Sequence, residues 1–467
     1  MNITERQCLV ENIRRLARTV NALESMPSGN LIFYGPSRHL VISSEDGKTI
    51  AKAYRDDERF NDEIANLDIF GQINKERSAL LSEIAGREDV YIGLPKIDSQ
   101  LLMQRTAVRP ENGTLPILLL AAERGDLLYD KTIDGHATFQ DYLTAAVQVA
   151  RIQEEGKQER SPKFSLEDVV RDPAAKGMPV TDYFVRRRFE EVFLRQLSEH
   201  AGIDVPEHAR ENLVRDWESL VAQNLVKAHR SGLTGYYFDG NPKHHILGPD
   251  GKVVSFDFEF RLYVPALLGL ASLLSFGLTR DGRQYLDTEE QTKVLDRFFI
   301  EMEFANALRK GYKDKAKQIF DYVTERKEVY ASDLSGPKSE GFFRLIGKQG
   351  DMNEGREYRD KFLSAWPYAV LDRATAWIGH KARYKQVAQL LIDEGVLREQ
   401  GIRFEREDPI EQNTIEQREH IQTILATLKF IQGLNGRNAP YLQDAARRLH
   451  YWFQELSAHT YFSRSHS

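Results

Sequence analysis

Apolar residues Leu9, Ile13, Leu16, Val20 and Leu23 recur at helical spacing, and Pro27-Ser28-Gly29 closes the run. The pattern predicts an N-terminal helix within residues 1–29. Alternation then takes over. Residues 30–34 and 40–43 read as strands on either side of the loop Gly35-Pro36-Ser37-Arg38. After the turn Glu45-Asp46-Gly47-Lys48, Thr49-Ile50-Ala51-Lys52-Ala53-Tyr54 reads as a third strand. Residues 57–86 return to helical spacing, with Ile64, Leu67, Ile69, Ile73, Leu80, Leu81 and Ile84 as apolar positions. Leu101 to Val108 and Leu115 to Ala121 are then predicted to pair around the turn Arg109-Pro110-Glu111-Asn112-Gly113.

Beyond Gly125 the period is mostly helical. Phe139 to Gln153 is amphipathic, and a polar linker from Gly156 opens a helical insertion over 157–232. Two short apolar strands then flank the turn Gly248-Pro249-Asp250-Gly251. From Asp287 onward the pattern is helical, broken by polar loops near 332–340, 349–356 and 403–414. No internal repeat or long low-complexity segment interrupts it. The predicted class is α+β: a small antiparallel sheet with one inserted helix, followed by a large helical region.

Composition narrows the function classes. The chain has 467 residues, 41% hydrophobic and 29% charged, enough for a sizeable core and against global disorder. A formal net charge of −6 gives no electrostatic case for nucleic-acid binding. Arg186-Arg187-Arg188 is followed at once by Glu190 and Glu191 and reads as a solvated helix face. The single cysteine, Cys8, excludes an intrachain disulfide or a cysteine-based zinc site. The N-terminal residues lack a secretory apolar core, so the expected location is cytoplasmic. Leu262 to Leu278 is uncharged but 17 residues long. That falls short of the ~20 needed to span a bilayer, so a buried core helix is expected over membrane contact.

The chemistry gathers in Tyr237-Phe238-Asp239-Gly240-Asn241-Pro242-Lys243-His244-His245 and in Ser255-Phe256-Asp257-Phe258-Glu259. Asp239 lies in a loop ahead of a short strand, where a carboxylate can take a hydroxyl proton. Alone, Asp-Gly-Asn-Pro is also good turn chemistry. Asp257 ends an apolar strand among aromatics. It is costly to bury there unless paired or metal-bound, and its other reading is a helix N-cap. His244 is a second metal candidate, though magnesium prefers oxygen ligands, so it would complete the site with magnesium or manganese, or orient a water. A satisfied histidine with no ligand role is the alternative. His245, its neighbour on an extended segment, should face the opposite way. Lys52 is the phosphate-binding candidate, with Glu76 expected as its helix partner and Glu63 as the competitor. Gly35 and Ser37 sit in the loop that would cover the phosphates, a thin one with a single glycine.

This order resembles the aminoglycoside phosphotransferase and choline kinase superfamily, which shares the protein-kinase fold. Its catalytic loop usually reads His-Gly-Asp-x-x-Pro-x-Asn-Ile-Leu. Asp239, Pro242 and, one residue offset, Ile246-Leu247 match it, whereas Tyr237 replaces the leading His and His244 the Asn. A His at that position is similar to the bacterial lipopolysaccharide core heptose kinases. Asp257-Phe258-Glu259 resembles the family's metal-binding segment, and Glu123-Arg124-Gly125 the hinge that receives adenine. The resemblance covers about residues 30–280.

It implies a two-lobed fold: an N-lobe over 30–125, a C-lobe over 126–290 carrying the insertion, and a helical C-terminal extension over 291–467. It further implies a kinase using ATP and Mg2+ or Mn2+ to phosphorylate a hydroxyl of a small molecule or sugar-containing metabolite. In that reading Asp239 is the base, and Asp257 and His244 hold the metal. Lys52, Glu76, Gly35, Ser37 and Glu123 bind the nucleotide. The rivals are an inactive kinase-fold binding module, a protein kinase, and a helical scaffold with no nucleotide site. The sequence leaves the acceptor and the oligomeric state open. No segment resembles the Ala-Pro-Glu docking region of protein kinases after Asp257.

Overall fold

The computed structural model describes residues 7, 10–11, 14, 31–36, 40–44, 49–54, 57–86, 90–97, 116–121, 125–157, 179–249, 251–258, 263–275, 277–281, 283–325, 330–399, 402–404, 408–434 and 440–462. The expected strand at 101–108 and its turn lie outside them, as do Ser37, Glu123 and Glu259. Of the expected N-terminal helix only four residues are described, all helical.

The first strands are β1 (Leu31–Pro36), β2 (Leu40–Ser44) and β3 (Thr49–Ala53), paired antiparallel in sequence. Helix α1 (Asp57–Ala85) follows, then β4 (Lys96–Ile97) and β5 (Ile117–Ala121). β5 is a continuous apolar run and sits between β3 and β4, where both faces are covered. Lys52 therefore occupies the middle of the sheet, opposite Val41 on one side and Leu118 on the other.

α1 buries Glu63, Asn66, Leu67, Phe70, Ile73, Arg77 and Leu81. These recur at three- and four-residue intervals and form one stripe. Polar residues interrupt that stripe, so its apolar pattern alone understates how deeply the helix is buried. Ile69, expected on the apolar face, is 40% exposed.

Next in the chain come β6 (Asp126–Leu127) and helix α2 (Phe139–Glu155). Thr138 and Asp141 cap α2 reciprocally, satisfying two N-terminal backbone donors. The insertion supplies helices at 180–201 and 207–230, the first π-helical over Tyr183–Leu194. Then come β7 (Thr234–Tyr236), β8 (His245–Leu247), β9 (Val253–Ser255) and β10 (Tyr263–Pro265). β6, β8 and β9 form one small sheet, and β7 pairs with β10. Helix α3 (Leu267–Ser275) is buried along its whole length. It accounts for the uncharged segment, and no helix among the described residues is long and apolar enough to cross a membrane.

The C-terminal region contributes α4 (Thr288–Arg309), the 42-residue α5 (Met352–Asp393), α6 (Pro409–Leu434) and α7 (Pro440–Phe462). α5 packs on α3, on α6 and on the first insertion helix. The extension is helical as expected, and the break near residue 403 carries one short strand. Ile402–Phe404 forms β11, which runs parallel to β1 with Leu31 opposite Ile402 and Phe33 edge-on to Phe404 at 6.0 Å. Three residues carry no readable period, and a strand this short exists only because β1 offers it an edge.

The two lobes meet through α1. Its Arg77 makes a two-point ion pair with Glu155 at the end of α2 (2.8 and 3.2 Å), and Tyr91 donates to the same carboxylate at 3.1 Å. Its Asn66 donates to the Phe258 carbonyl at 2.6 Å. The architecture is thus α+β: a mainly antiparallel sheet with one crossing helix, set on a large helical body.

Candidate active site

Lys52 is 5% exposed, and its ammonium is shared by two carboxylates. It donates to Glu63 at 2.8 Å and is ion-paired with Asp257. Glu63 itself is fully buried. One of its oxygens also accepts from the Tyr54 hydroxyl, and the other accepts from the Phe258 backbone N–H at 3.2 Å. Each acceptor on this carboxylate is therefore engaged, as a buried charge requires.

This corrects the expected partner. Glu76 is exposed and bonds Gln72 one turn earlier, at 3.2 Å. At about 100° per residue, Glu76 falls on the face opposite Leu67, whereas Glu63 shares that residue's stripe. The interval to the next strand misled; the helical face is the better guide. Substitution separates the two glutamates. Glu76→Ala should leave nucleotide affinity unchanged and stability within about 0.5 kcal/mol of the parent. Glu63→Ala leaves Lys52 and Tyr54 facing a hole and should cost about 3–5 kcal/mol. Chemical denaturation of both variants checks this, and equal losses would show that Glu63 is not the residue holding Lys52.

Asp257 has φ = 78°, in the left-handed region that L-residues seldom adopt. Such a residue costs on the order of 1–3 kcal/mol, less for Asp than for bulky side chains. The next residue, Phe258, is not helical, so Asp257 caps no helix. The conformation instead turns its carboxylate between Lys52 and His244, whose Nε2 lies 3.5 Å from Oδ2.

His244 closes a single 3-10 turn, Pro242–His244, which the Asn241 side chain starts by accepting from the Lys243 N–H at 3.0 Å. Its Nδ1 lies 2.7 Å from the Asp239 carbonyl oxygen. A carbonyl only accepts, so Nδ1 carries a proton, and Nε2 is the ring nitrogen that faces Asp257. His245 does face the other way. It is fully buried, bonds Ser255 at 3.0 Å, and is lowered to about 3 by burial and by the neighbouring His244.

Asp239 lies in the loop between β7 and that turn. The loop can approach α3 because Gly240 has no side chain: a Cβ there would meet the Gly269 carbonyl oxygen at 2.4 Å. Both Asp239 oxygens face Arg373 Nη2, at 3.3 and 3.2 Å. Burial pushes this carboxyl up, but Arg373, His244, Ser272 and Arg188 outweigh it and hold it below the usual carboxylate range. Arg373 Nη1 donates to the Tyr237 hydroxyl at 2.7 Å. Nothing in the local sequence of α5 marks Arg373, which reaches the loop from 134 residues downstream.

The geometry thus gathers Lys52, Glu63, Asp257, His244 and Asp239 at the junction of the two lobes, and leaves Glu76 outside. Gly35 is part of β1, and Ser37 and Glu123 lie outside the described residues. A divalent cation would fit the Asp257–His244 pair by donor chemistry: a carboxylate oxygen and an imidazole nitrogen face each other at 3.5 Å, and such a nitrogen can coordinate when it carries no proton. Among the described residues no three His, Cys, Asp or Glu side chains form a metal set. Two protein ligands would leave the remaining positions of a hard divalent cation to other oxygen donors.

No protein-family model matches the chain, and no curated protein matches it. Solved structures do. A choline/ethanolamine kinase family protein from Mesorhizobium loti is 9% identical, covering 76% of this chain and 99% of its own, with a TM-score of 0.34. Choline kinase from Cryptosporidium parvum is 11% identical over 82% of this chain and 96% of its own, TM-score 0.35. An amicoumacin kinase, solved with AMP-PNP and Ca2+, is 13% identical over 82% and 92%, TM-score 0.37. At these identities and TM-scores, only the chain's own geometry bears on what it does.

Proposed function

We propose that this chain is a kinase that transfers the γ-phosphoryl group of ATP to a hydroxyl of a small molecule. The observation that carries the reading is the ammonium of Lys52, buried at the lobe junction and held between Glu63 and the left-handed Asp257. A buried lysine on a central strand, fixed by a helix carboxylate beside a second acidic residue, suits phosphate binding better than it suits stability.

In this reading Glu63 holds the Lys52 ammonium at the lobe junction, where nucleotide phosphates replace Asp257 as its partner. Asp257 and His244 would hold the divalent cation, which would supply positive charge to the nucleotide phosphates. Asp239 accepts the proton of the acceptor hydroxyl as the hydroxyl oxygen attacks the γ-phosphorus; the bond from the γ-phosphorus to the β–γ bridging oxygen breaks, and ADP leaves with that oxygen. Its depressed pKa keeps it ionised throughout the neutral range.

The ion pair between Arg373 and Asp239 also favours a second reading, an inactive nucleotide-binding module whose base is blocked. Binding and turnover of ATP, measured separately with and without Mg2+, divide the two. Metal-dependent binding with turnover supports the kinase. Metal-dependent binding without turnover supports the module, and no binding at all removes both.

His244 supplies a further test. Only a neutral imidazole coordinates, so protons compete with the metal at this ligand. Metal affinity should fall as the pH is lowered in the parent. His244→Asn substitutes an oxygen ligand that suits magnesium, so it should keep Mg2+-dependent turnover and flatten that acid-side dependence. His244→Ala should lose about tenfold or more in metal affinity. Metal titration of ATP turnover at several pH values checks this. Identical titrations for all three proteins would make His244 a spectator.

A further inference from the structure

Arg373 is 2% exposed and lies on α5, beyond the segment 30–280 in which the sequence motifs resemble the kinase superfamily. Its guanidinium grips the loop at two points two residues apart: Nη1 on the Tyr237 hydroxyl and Nη2 on both Asp239 oxygens. The cation also sits 5.8 Å from the Tyr237 ring centroid. Tyr237 stands where the resembling family carries histidine, so here the first residue of the loop is held from outside by an arginine.

The stem that carries this arginine is fixed as well. The preceding residue, Asp372, is buried and pairs with Arg188 of the insertion helix at 2.5 and 3.4 Å. Gly379, two turns on, lets α5 touch that same helix: a Cβ there would meet the Val192 carbonyl oxygen at 2.0 Å. Insertion, α5 and acidic loop therefore form one continuous chain of contacts. Arg373 Nε, by contrast, is buried with no hydrogen-bond partner among the described residues. A buried cation with an unmet donor is a poor device for stability, since an apolar side chain of similar volume often does as well or better. Its retention calls for a task that needs the charge and the planar fork.

We infer that Arg373 is a positioning residue for phosphoryl transfer, clamping Tyr237 and Asp239 so that the carboxylate faces the acceptor hydroxyl. This rests on the kinase reading above. It makes the C-terminal helix a working part of the catalytic centre and not an appendage to it. A base must sit within hydrogen-bond reach of the proton it takes, and a displacement of about 1 Å can cost on the order of 10²-fold. Lysine keeps the charge but not the fork, so it cannot serve both residues at once.

The test uses the full chain, MgATP turnover without added acceptor, and MgATP affinity. Arg373→Lys should fold and bind MgATP like the parent, yet lose about 10–100-fold in kcat. Added guanidinium should restore part of the turnover of Arg373→Ala. Should that variant not fold, Tyr237→Phe, which removes only the hydroxyl, should show a smaller loss of the same kind. In an Asp239→Asn background, Arg373→Lys should cost nothing more, because both changes act through one group. Full kcat in Arg373→Lys, or a loss that adds to that of Asp239→Asn, would overturn the inference. A rise in kcat would also overturn it, by making the ion pair a block. If the parent turns over and Asp239→Asn does not, a silent Arg373→Lys sinks only this inference. A parent that binds MgATP and never turns it over sinks the kinase reading too.

Discussion

Asp239→Asn should remove about 10²–10⁴-fold of MgATP turnover, the usual contribution of a positioned base. Nucleotide affinity should change by less than about threefold, because this carboxylate serves the transition state and not ground-state binding. The change is isosteric and the Arg373 guanidinium can still donate to the amide oxygen, so the loop should keep its shape. The variant loses a charge-assisted hydrogen bond, worth about 1.5–3 kcal/mol. The sign of the pH dependence follows from the same contacts. The base works ionised, and its pKa in the folded chain is depressed. Its stabilising ion pair is therefore fully present above the ordinary carboxylate range and is lost only as the pH falls through the lower folded value. Turnover should show no acid limb from Asp239 near neutrality. Steady-state kinetics and calorimetric binding across pH check both statements. Turnover within about threefold of the parent would take Asp239 out of the mechanism.

The second large effect belongs to Lys52. As an exposed strand lysine it would be a ligand contact whose removal spares the fold. Its 5% exposure and its two carboxylate partners alter that expectation. Lys52→Ala leaves the fully buried Glu63 facing an empty space, and breaking a buried pair by deleting one partner typically costs about 3–5 kcal/mol. ATP binding and stability should therefore fall together. The double variant Lys52→Met/Glu63→Gln separates the two losses. Removing both charges while keeping the volume should return most of the stability, since an apolar or neutral pair in such a place is close to neutral in energy. It should not return ATP binding, because the phosphate-facing cation is gone. Thermal unfolding with and without MgATP reads both quantities. A double variant that recovers its ATP-induced shift would show that Lys52 does not contact the nucleotide.

Much of this arrangement is legible in the chain itself. The alternation in Thr49 to Tyr54, the helical period of 57–86 and the turn at 248–251 specify local structure, because side-chain direction follows backbone period. The observed elements there are β3, α1 and the β8–β9 hairpin. The spacing of Asp239, His244 and Asp257 across that hairpin was readable for the same reason: a short hairpin brings its ends together whatever surrounds it.

What the chain could not announce were pairings between distant segments. Glu63 and Glu76 offer the same chemistry on one helix, and only the packing of α1 against the sheet and the second lobe chose between them. A stripe carrying Glu63, Asn66 and Arg77 looks less apolar than it is buried, because each polar group meets its partner from another part of the chain. β11 is three residues whose strand character comes entirely from the free edge of β1. The left-handed turn at Asp257 is a backbone state that no residue pattern encodes. Arg373 is one arginine among many along a helix, and it acquires a partner only when α5 passes beneath the acidic loop. Local periods fix which elements form. Which buried charges face one another is decided by packing, since a charge removed from water must find its counterpart wherever the fold delivers one.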